Sequence, residues 1–250
     1  MAILKHIDFQ VTDWGEFQQG PKHKPGYRSQ VLSDLPLMYL RMGESSGPIA
    51  LDEVGSRHAT EVGVMDWGLQ GSLRFDADTA VGSLATGGLS VNSTGWLPTG
   101  SGPRTVELWF RPSAATSPFL GISYGSGLLG MLTFVYSSGG LLVSVGTNGF
   151  GGTTANLTDQ WHHAVFVFPA GASRLDEFAI YVDGAPITMQ LFFGSGATVI
   201  NTNDSPLWIN QSDTGTFNNC EIDEVAVYDT ALSAQRIKEH YDAAVGQVGQ

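Results

Sequence analysis

The stretch CEIDEVAVYD places three carboxylates, Glu221, Asp223 and Glu224, within four residues. Two carboxyl groups on one face could cleave a glycosidic bond, one as nucleophile and one as acid/base, at a spacing of about 5 to 5.5 Å in the retaining mechanism. Side chains alternate across a strand, so Glu221 and Asp223 share a face and the next residue in step is Val225. Glu224 would point to the other face of a regular strand. This pattern predicts a closing strand whose carboxylates are architectural or metal-binding, without an acid/base pair.

Other chemistry-bearing residues are sparse. His162 and His163 are adjacent on a strand-like run, so they diverge, and neither a cysteine partner nor a His-x-x-x-His helix accompanies them. Their expected role is structural. No Gly-x-Ser-x-Gly elbow or Walker phosphate loop occurs. Trp67, Trp96, Phe150, Phe192 and Phe193 lie in or near turn-rich stretches and could stack on sugar rings, or serve the core.

Short alternating or apolar runs must position these groups. PLMYLRM, GSLRFDA, RTVELWFRP, GMLTFVY, GLLVSVG, WHHAVFVFP, EFAIYVDG, PLWIN and EIDEVAVY recur between turn signals, as in an antiparallel sandwich. Asp183-Gly184 between β-formers predicts a hairpin across EFAIYVDGAPITMQ. One helix is expected, at the carboxyl end: Ser233 as N-cap, Leu232 and Ile237 as a hydrophobic staple, Ile237, Tyr241 and Val245 at helical spacing, and Gly246 at C′.

The 250 residues carry 32 glycines, only 14% charged residues, one cysteine and a net charge of −12. Length and composition fit one large turn-rich domain. Strong acidity excludes nucleic acid as a partner of the body, because phosphate binding needs clustered Lys and Arg. A lone Cys220 excludes an intrachain disulfide. No apolar run reaches the roughly 18 residues of a membrane span, so no membrane insertion is expected, and MAILKHIDFQVTDW lacks a secretory apolar region. Synthesis in a host cytoplasm without a signal peptide is the expectation.

Residues 1–34 read as an amino-terminal docking arm and 35–250 as the sandwich with its helix. Ile7, Phe9 and Val11 alternate with polar residues, PKHKPGYR adds a basic patch, and the arm is formally neutral, so the body carries the whole −12. GYRSQVLSD is the expected linker between them.

Four blocks in order, LMYLRMGESSGPIALDEVG, TVELWFRP, WHHAVFVF with IYVDGAPI, and IDEVAVYDTALSAQRIKEHYDA, resemble the laminin G-like branch of the concanavalin A-like jelly rolls, the group related to pentraxins. The resemblance covers nearly all of residues 37–244 and leaves out the arm. It departs from the family at LDEVGSRHATEVG, which fits in part, and at Asn219 and Cys220, where the family has glycine. It implies an all-β jelly-roll sandwich whose first and last strands lie side by side. That would let Glu44 or Asp52 approach Asp223 as a calcium site, completed by carbonyls and water. Retaining glucanases of the same superfold read Glu-x-Asp-x-Glu on the catalytic strand, and Val225 breaks that pattern here.

The implied function is a non-enzymatic structural and adhesion component of a bacteriophage particle: a capsid decoration, head fibre or tail fibre. Its location would be the virion, its arm would dock on virion proteins, it would assemble as a homo-oligomer, and a host-surface glycan is a further partner. The alternative is a calcium-dependent carbohydrate-binding module of a bacterial surface system, extracellular or at the cell surface, and the third reading is a concanavalin-type glycoside hydrolase.

Overall fold

The computed structural model describes residues 26–74, 76–83, 87–92, 94–113, 119–127, 130, 132–137, 140–154, 157–211 and 220–246, the side chains of Phe119, Leu120 and Ser137 excepted. The alternating pattern at Ile7, Phe9 and Val11, the basic residues before Gly26, and Asn219 lie outside the described residues.

A first helix, α1 (Tyr27–Ser33), leads into strands β1 (Met38–Leu40), β2 (Ile49–Ala50), β3 (Ala59–Val62), β4 (Asp66–Gln70), β5 (Thr79–Ser83) and β6 (Gly88–Val91). The middle of the chain supplies β7 (Arg104–Pro112), β8 (Phe119–Tyr124), β9 (Leu132–Ser137), β10 (Gly140–Val145), β11 (Asn148–Thr153) and β12 (His162–Phe168). Then come β13 (Ala179–Val182), β14 (Ala185–Pro186), β15 (Gln190–Phe193), β16 (Leu207–Ile209), β17 (Cys220–Tyr228) and the closing helix α2 (Ala234–Val245).

These strands form two antiparallel sheets. One has the order β14-β13-β12-β7-β17-β5-β4, with β1 also paired to β17; the other runs β15-β11-β10-β9-β8-β16-β6-β3-β2. The expected adjacency of first and last strands is present, Met38 facing Val227 and Leu40 facing Val225. Alternation divides the central strands β7, β12 and β17 between two cores. Val106, Leu108, Phe110, Phe166, Ile222 and Val227 face the second sheet, and Trp109, Val165, Ala226 and Tyr228 face outward.

The outward face is not left to solvent. Tyr27 and Val31 of α1, together with Leu232, Ile237 and Ala244 at and in α2, pack on it as a second apolar layer. Burying each of the larger of these side chains contributes about 2 kcal/mol, enough to hold two short helices that would be marginal alone. Gly26 and Tyr27 share a cleft of about 100 Å³ with Ala243 and Ala244, so the two chain ends of the described body meet there.

Several expectations hold in detail. The Ser233 hydroxyl accepts from the Arg236 N–H at 3.2 Å, and Leu232 and Ile237 are buried together. Asp183 and Gly184 turn the β13–β14 hairpin with φ of 51° and 77°, the left-handed pair an Asp-Gly turn is chosen for.

Others are corrected. GYRSQVLSD is not a linker: most of it is α1, whose Tyr27 and Val31 carry the i, i+4 apolar pair that a seven-residue helix needs to dock. The described residues of GSLRFDA are loop and form no strand, and β4 lies just before them. In α2 the buried residues are Ile237, His240, Ala243 and Ala244, whereas Val245 is exposed. Gly246 ends the helix at φ −95°, its N–H still bonded to the Asp242 carbonyl, so the left-handed C′ geometry is not used.

Candidate functional site

The carboxylates of β17 sit where three strands meet. β7 runs along one side of β17, from Pro112 opposite Cys220 to Thr105 opposite Tyr228. On the other side β5 covers Cys220–Ile222 and β1 covers Val225–Val227, approaching end to end. The register on β7 slips between Asp223 and Ala226, and Glu224 takes φ 53°, a bulge at the point where β1 and β5 stop. Strict alternation would turn Glu224 toward the inner core. The bulge instead brings it beside Tyr39 and Arg41, and the negative charge of Asp223 acts on it directly.

Each carboxylate of the strand has a separate commitment. Glu221 pairs with Arg111, its cross-strand partner, whose guanidinium lies 5.3 Å from the Trp161 ring centre. Asp223 accepts both the N–H and the hydroxyl of Ser72 on one oxygen, each at 2.8 Å. Its other oxygen is buried with no hydrogen-bond partner among the described residues. Burial pushes Asp223 up to about 7 despite the Ser72 bonds. Glu224 accepts from the Tyr39 hydroxyl and from Nε and Nη2 of Arg41, and burial, with Asp223 beside it, raises it well above the usual carboxylate range.

Glu44, Asp52 and Asp223 do not converge. Asp52 spends one oxygen on the N–H groups of Tyr39 and Val54, at 3.0 and 3.2 Å, and the other on that of Arg57, at 3.1 Å. It organises the turn after β2. Glu44 accepts the Leu51 N–H at 2.8 Å and keeps one buried oxygen without a partner among the described residues. Among the described residues no group of three or more His, Cys, Asp or Glu side chains is spaced to hold a metal ion. The three do not fit calcium as they stand.

Sequence reasoning missed a denser polar cluster on the outer face of the same sheet. Glu107 of β7 is fully buried and takes hydrogen bonds from four elements: the Tyr27 hydroxyl at 2.8 Å, His163 Nε2 at 2.8 Å, His240 Nδ1 at 3.0 Å and the Tyr228 hydroxyl at 2.9 Å. His240 Nε2 lies 2.9 Å from Asp34, which also holds Arg236. Burial alone would raise Glu107, but His240 and His163 hold it well below the usual carboxylate range; burial would lower His240, but Glu107 and Asp34 raise it. A carboxylate with all its lone-pair sites filled is a clasp, and it has no free lobe for a substrate. The signal available was the out-of-phase Glu in TVELWFRP together with His240 on the helix stripe.

His162 and His163 do diverge. His162 Nδ1 meets Asp183 at 2.7 Å, while His163 meets Glu107 on the outer face of the sheet. Cys220 is buried, and burial pushes its thiol well up, which keeps it unreactive. Of the aromatic candidates, Trp67 is partly buried and donates to Glu61, Arg57 lies over Trp96 at 5.1 Å, and Phe150 packs on the inner core. Phe192 and Phe193 are on β15, an edge of the nine-stranded sheet, where a register slip against β11 allows both rings to lie over glycines, Phe192 over Gly140 and Phe193 over Gly149. Phe193 and Leu191 remain 46% and 51% exposed.

A family model described as the concanavalin A-like lectin/glucanases superfamily matches residues 82–238. No curated protein sequence matches the chain. Among solved structures, the binding domain of botulinum neurotoxin serotype D superposes with a TM-score of 0.60 at 12% identity, over 85% of this chain and 52% of that one. The binding domain of serotype C1 gives 0.57 at 11%, over 85% and 53%. Trypanosoma rangeli sialidase gives 0.57 at 15%, over 85% and 33%. The chain thus spans about half the length of the toxin domains and a third of the sialidase. At these identities the likeness is one of fold. Among the described residues no helix is long and apolar enough to cross a membrane.

Proposed function

The chain belongs to the concanavalin A-like lectin/glucanases superfamily, and we propose that within it the protein is a non-enzymatic structural and adhesion component of a bacteriophage particle, a capsid decoration, head fibre or tail fibre. The observation that carries the non-enzymatic part is the internal commitment of Glu221, Asp223 and Glu224 to Arg111, Ser72, Tyr39 and Arg41. The particle role is supported by the clasp on α1, which gives the residues before Gly26 a fixed point of departure from the body. Those residues would dock on other virion proteins. Mass analysis of native particles tests this: the chain should copurify in fixed stoichiometry, and a variant lacking residues 1–25 should fail to incorporate. Normal incorporation of that variant, or recovery only as a free monomer, would count against the proposal.

A carbohydrate-binding role is favoured by one specific observation, the exposed Leu191 and Phe193 beside Phe192 on the edge strand β15. An aromatic ring whose outer side is open can stack on a sugar face. Glycan-array binding that is lost in Phe193→Ala, with the melting temperature unchanged, would support it; an array silent for the unsubstituted protein would remove it.

A further inference from the structure

We infer that β15, an edge of the nine-stranded sheet, is a self-association surface whose occupant is a second copy of this chain, its own β15 added antiparallel about a two-fold axis. Among the described strands β15 pairs only with β11. The other side of such a strand is a row of main-chain N–H and C=O groups, a template on which another strand adds. Gln190, Leu191 and Phe193 are exposed there, so no described segment covers the edge.

Charge decides the occupant. Folded proteins guard sheet edges with charged side chains, prolines, bulges or a covering segment, and the other three edges of the described sheets are guarded in these ways. β14 ends in Pro186, and Gly184 just before it lies against Tyr241 of α2. β4 carries Asp66 and a register slip, and its Gly68 lies against Ser45. β2 runs into Asp52 and Glu53, and the Leu51 N–H already donates to Glu44. β15 has a slip against β11 but neither charge nor proline. No Asp, Glu, Lys, Arg or His occurs in residues 184–203, nor in residues 112–158, which supply β8 to β11. Where the chain leaves β15, Gly196 lies against Asp176, which is neutralised by Arg174 at 2.8 Å. A chain of net charge −12 repels its own copies over most of its surface. At this rim a like-charged copy can approach without setting carboxylate against carboxylate, and a strongly charged partner would find nothing to pair with.

Two identical antiparallel edges are self-complementary, so the contact closes at two copies. A four-residue strand falls short of the roughly 800 Å² per partner of a stable interface. The dimer is therefore weak and depends on concentration. It does not rest on the particle role, and it competes with a glycan for Phe193.

Sedimentation velocity of the full chain over a concentration series tests the inference and should show a monomer–dimer equilibrium. Leu191→Lys, which sets like charges across the two-fold axis, should raise the dimer dissociation constant by roughly tenfold or more, with the melting temperature unchanged. Val64→Lys, at an exposed apolar residue ahead of β4, should leave it as in the parent. Cross-linking gives a separate readout: Leu191→Cys treated with a short bis-maleimide should yield a covalent dimer and Val64→Cys should not, the native Cys220 being buried. A parent that stays monomeric at every concentration would overturn the inference, as would Leu191→Lys dimerising like the parent. A monomeric parent whose glycan-array signal is lost in Phe193→Ala would overturn it too, and would assign the rim to a sugar.

Discussion

Tyr27, on the first helix, donates its hydroxyl to Glu107 at 2.8 Å in the interior of a sheet face 80 positions away. That bond makes the helix part of the sandwich. Tyr27→Phe keeps the ring packed edge-on against Trp109 and His163 and removes only the donor. The expected loss is about 2 kcal/mol, the usual size for a hydrogen bond to a buried charge, read by denaturant unfolding. Limited proteolysis should also cut near Tyr27–Ser33 faster in the variant.

Glu107→Gln should cost more, about 3 to 5 kcal/mol, since it strands the partners of a buried charge. It should also flatten the pH profile. Glu107 is depressed in the folded protein, so its stabilisation is present above the unfolded carboxylate value and is lost as pH falls through the lower folded value, in strong acid. His240 is raised, so its contribution is full below about 6.5 and is lost as pH rises through the folded value. Unfolding free energies measured from acid to alkaline pH should show both limbs in the parent, and in the variant the Glu107 limb gone and the His240 limb reduced to the share that Asp34 sustains.

Asp223 carries the opposite sign. Its carboxyl stands at about 7 in the fold against 3.8, so the folded state binds the extra proton between those values and stability falls as pH climbs from 4 to 7. A difference of that size corresponds to about 4 kcal/mol. Asp223→Asn, which matches the protonated form in shape and can still accept from Ser72, should equal the parent near pH 4 and exceed it near pH 8. A variant weaker than the parent at pH 8 would show that the ionised carboxylate is what the fold needs.

Gly184 couples the hairpin to α2. It has φ 77°, and a Cβ there would stand 3.1 Å from the Tyr241 ring. Gly184→Ala should therefore lose about 1 to 2 kcal/mol from the left-handed backbone alone, with Tyr241→Ala recovering only the crowding part. A double-mutant cycle separates the two.

How much of this was legible depended on what each residue had to satisfy. Strands with β-branched and aromatic alternation, such as β7, β12 and β17, announce themselves, whereas β6 (GLSV) and β11 (NGFGGT) owe their pairing to neighbours and to glycines that let rings lie over them. The closing strand was readable as a strand, and its lack of an in-step second carboxylate was too. The bulge was not, because it arises where β1 and β5 run out, a property of topology that no local window contains. Glu107 was hidden for a similar reason: its four partners come from residues 27, 163, 228 and 240. Arg41 stood in plain view in LMYLRMGE, but Asp76, Asp78 and Glu224 are brought to it only by the fold.

The meeting of Gly26 and Tyr27 with Ala243 and Ala244 in one cleft gives the molecule a back and a front. Both ends of the described body emerge on the helical side, so a tether at either terminus, or at both, holds the module by the same side. The nine-stranded sheet, with Leu191 and Phe193 at its rim, lies on the side away from both ends, so a tether at either one would leave that face open.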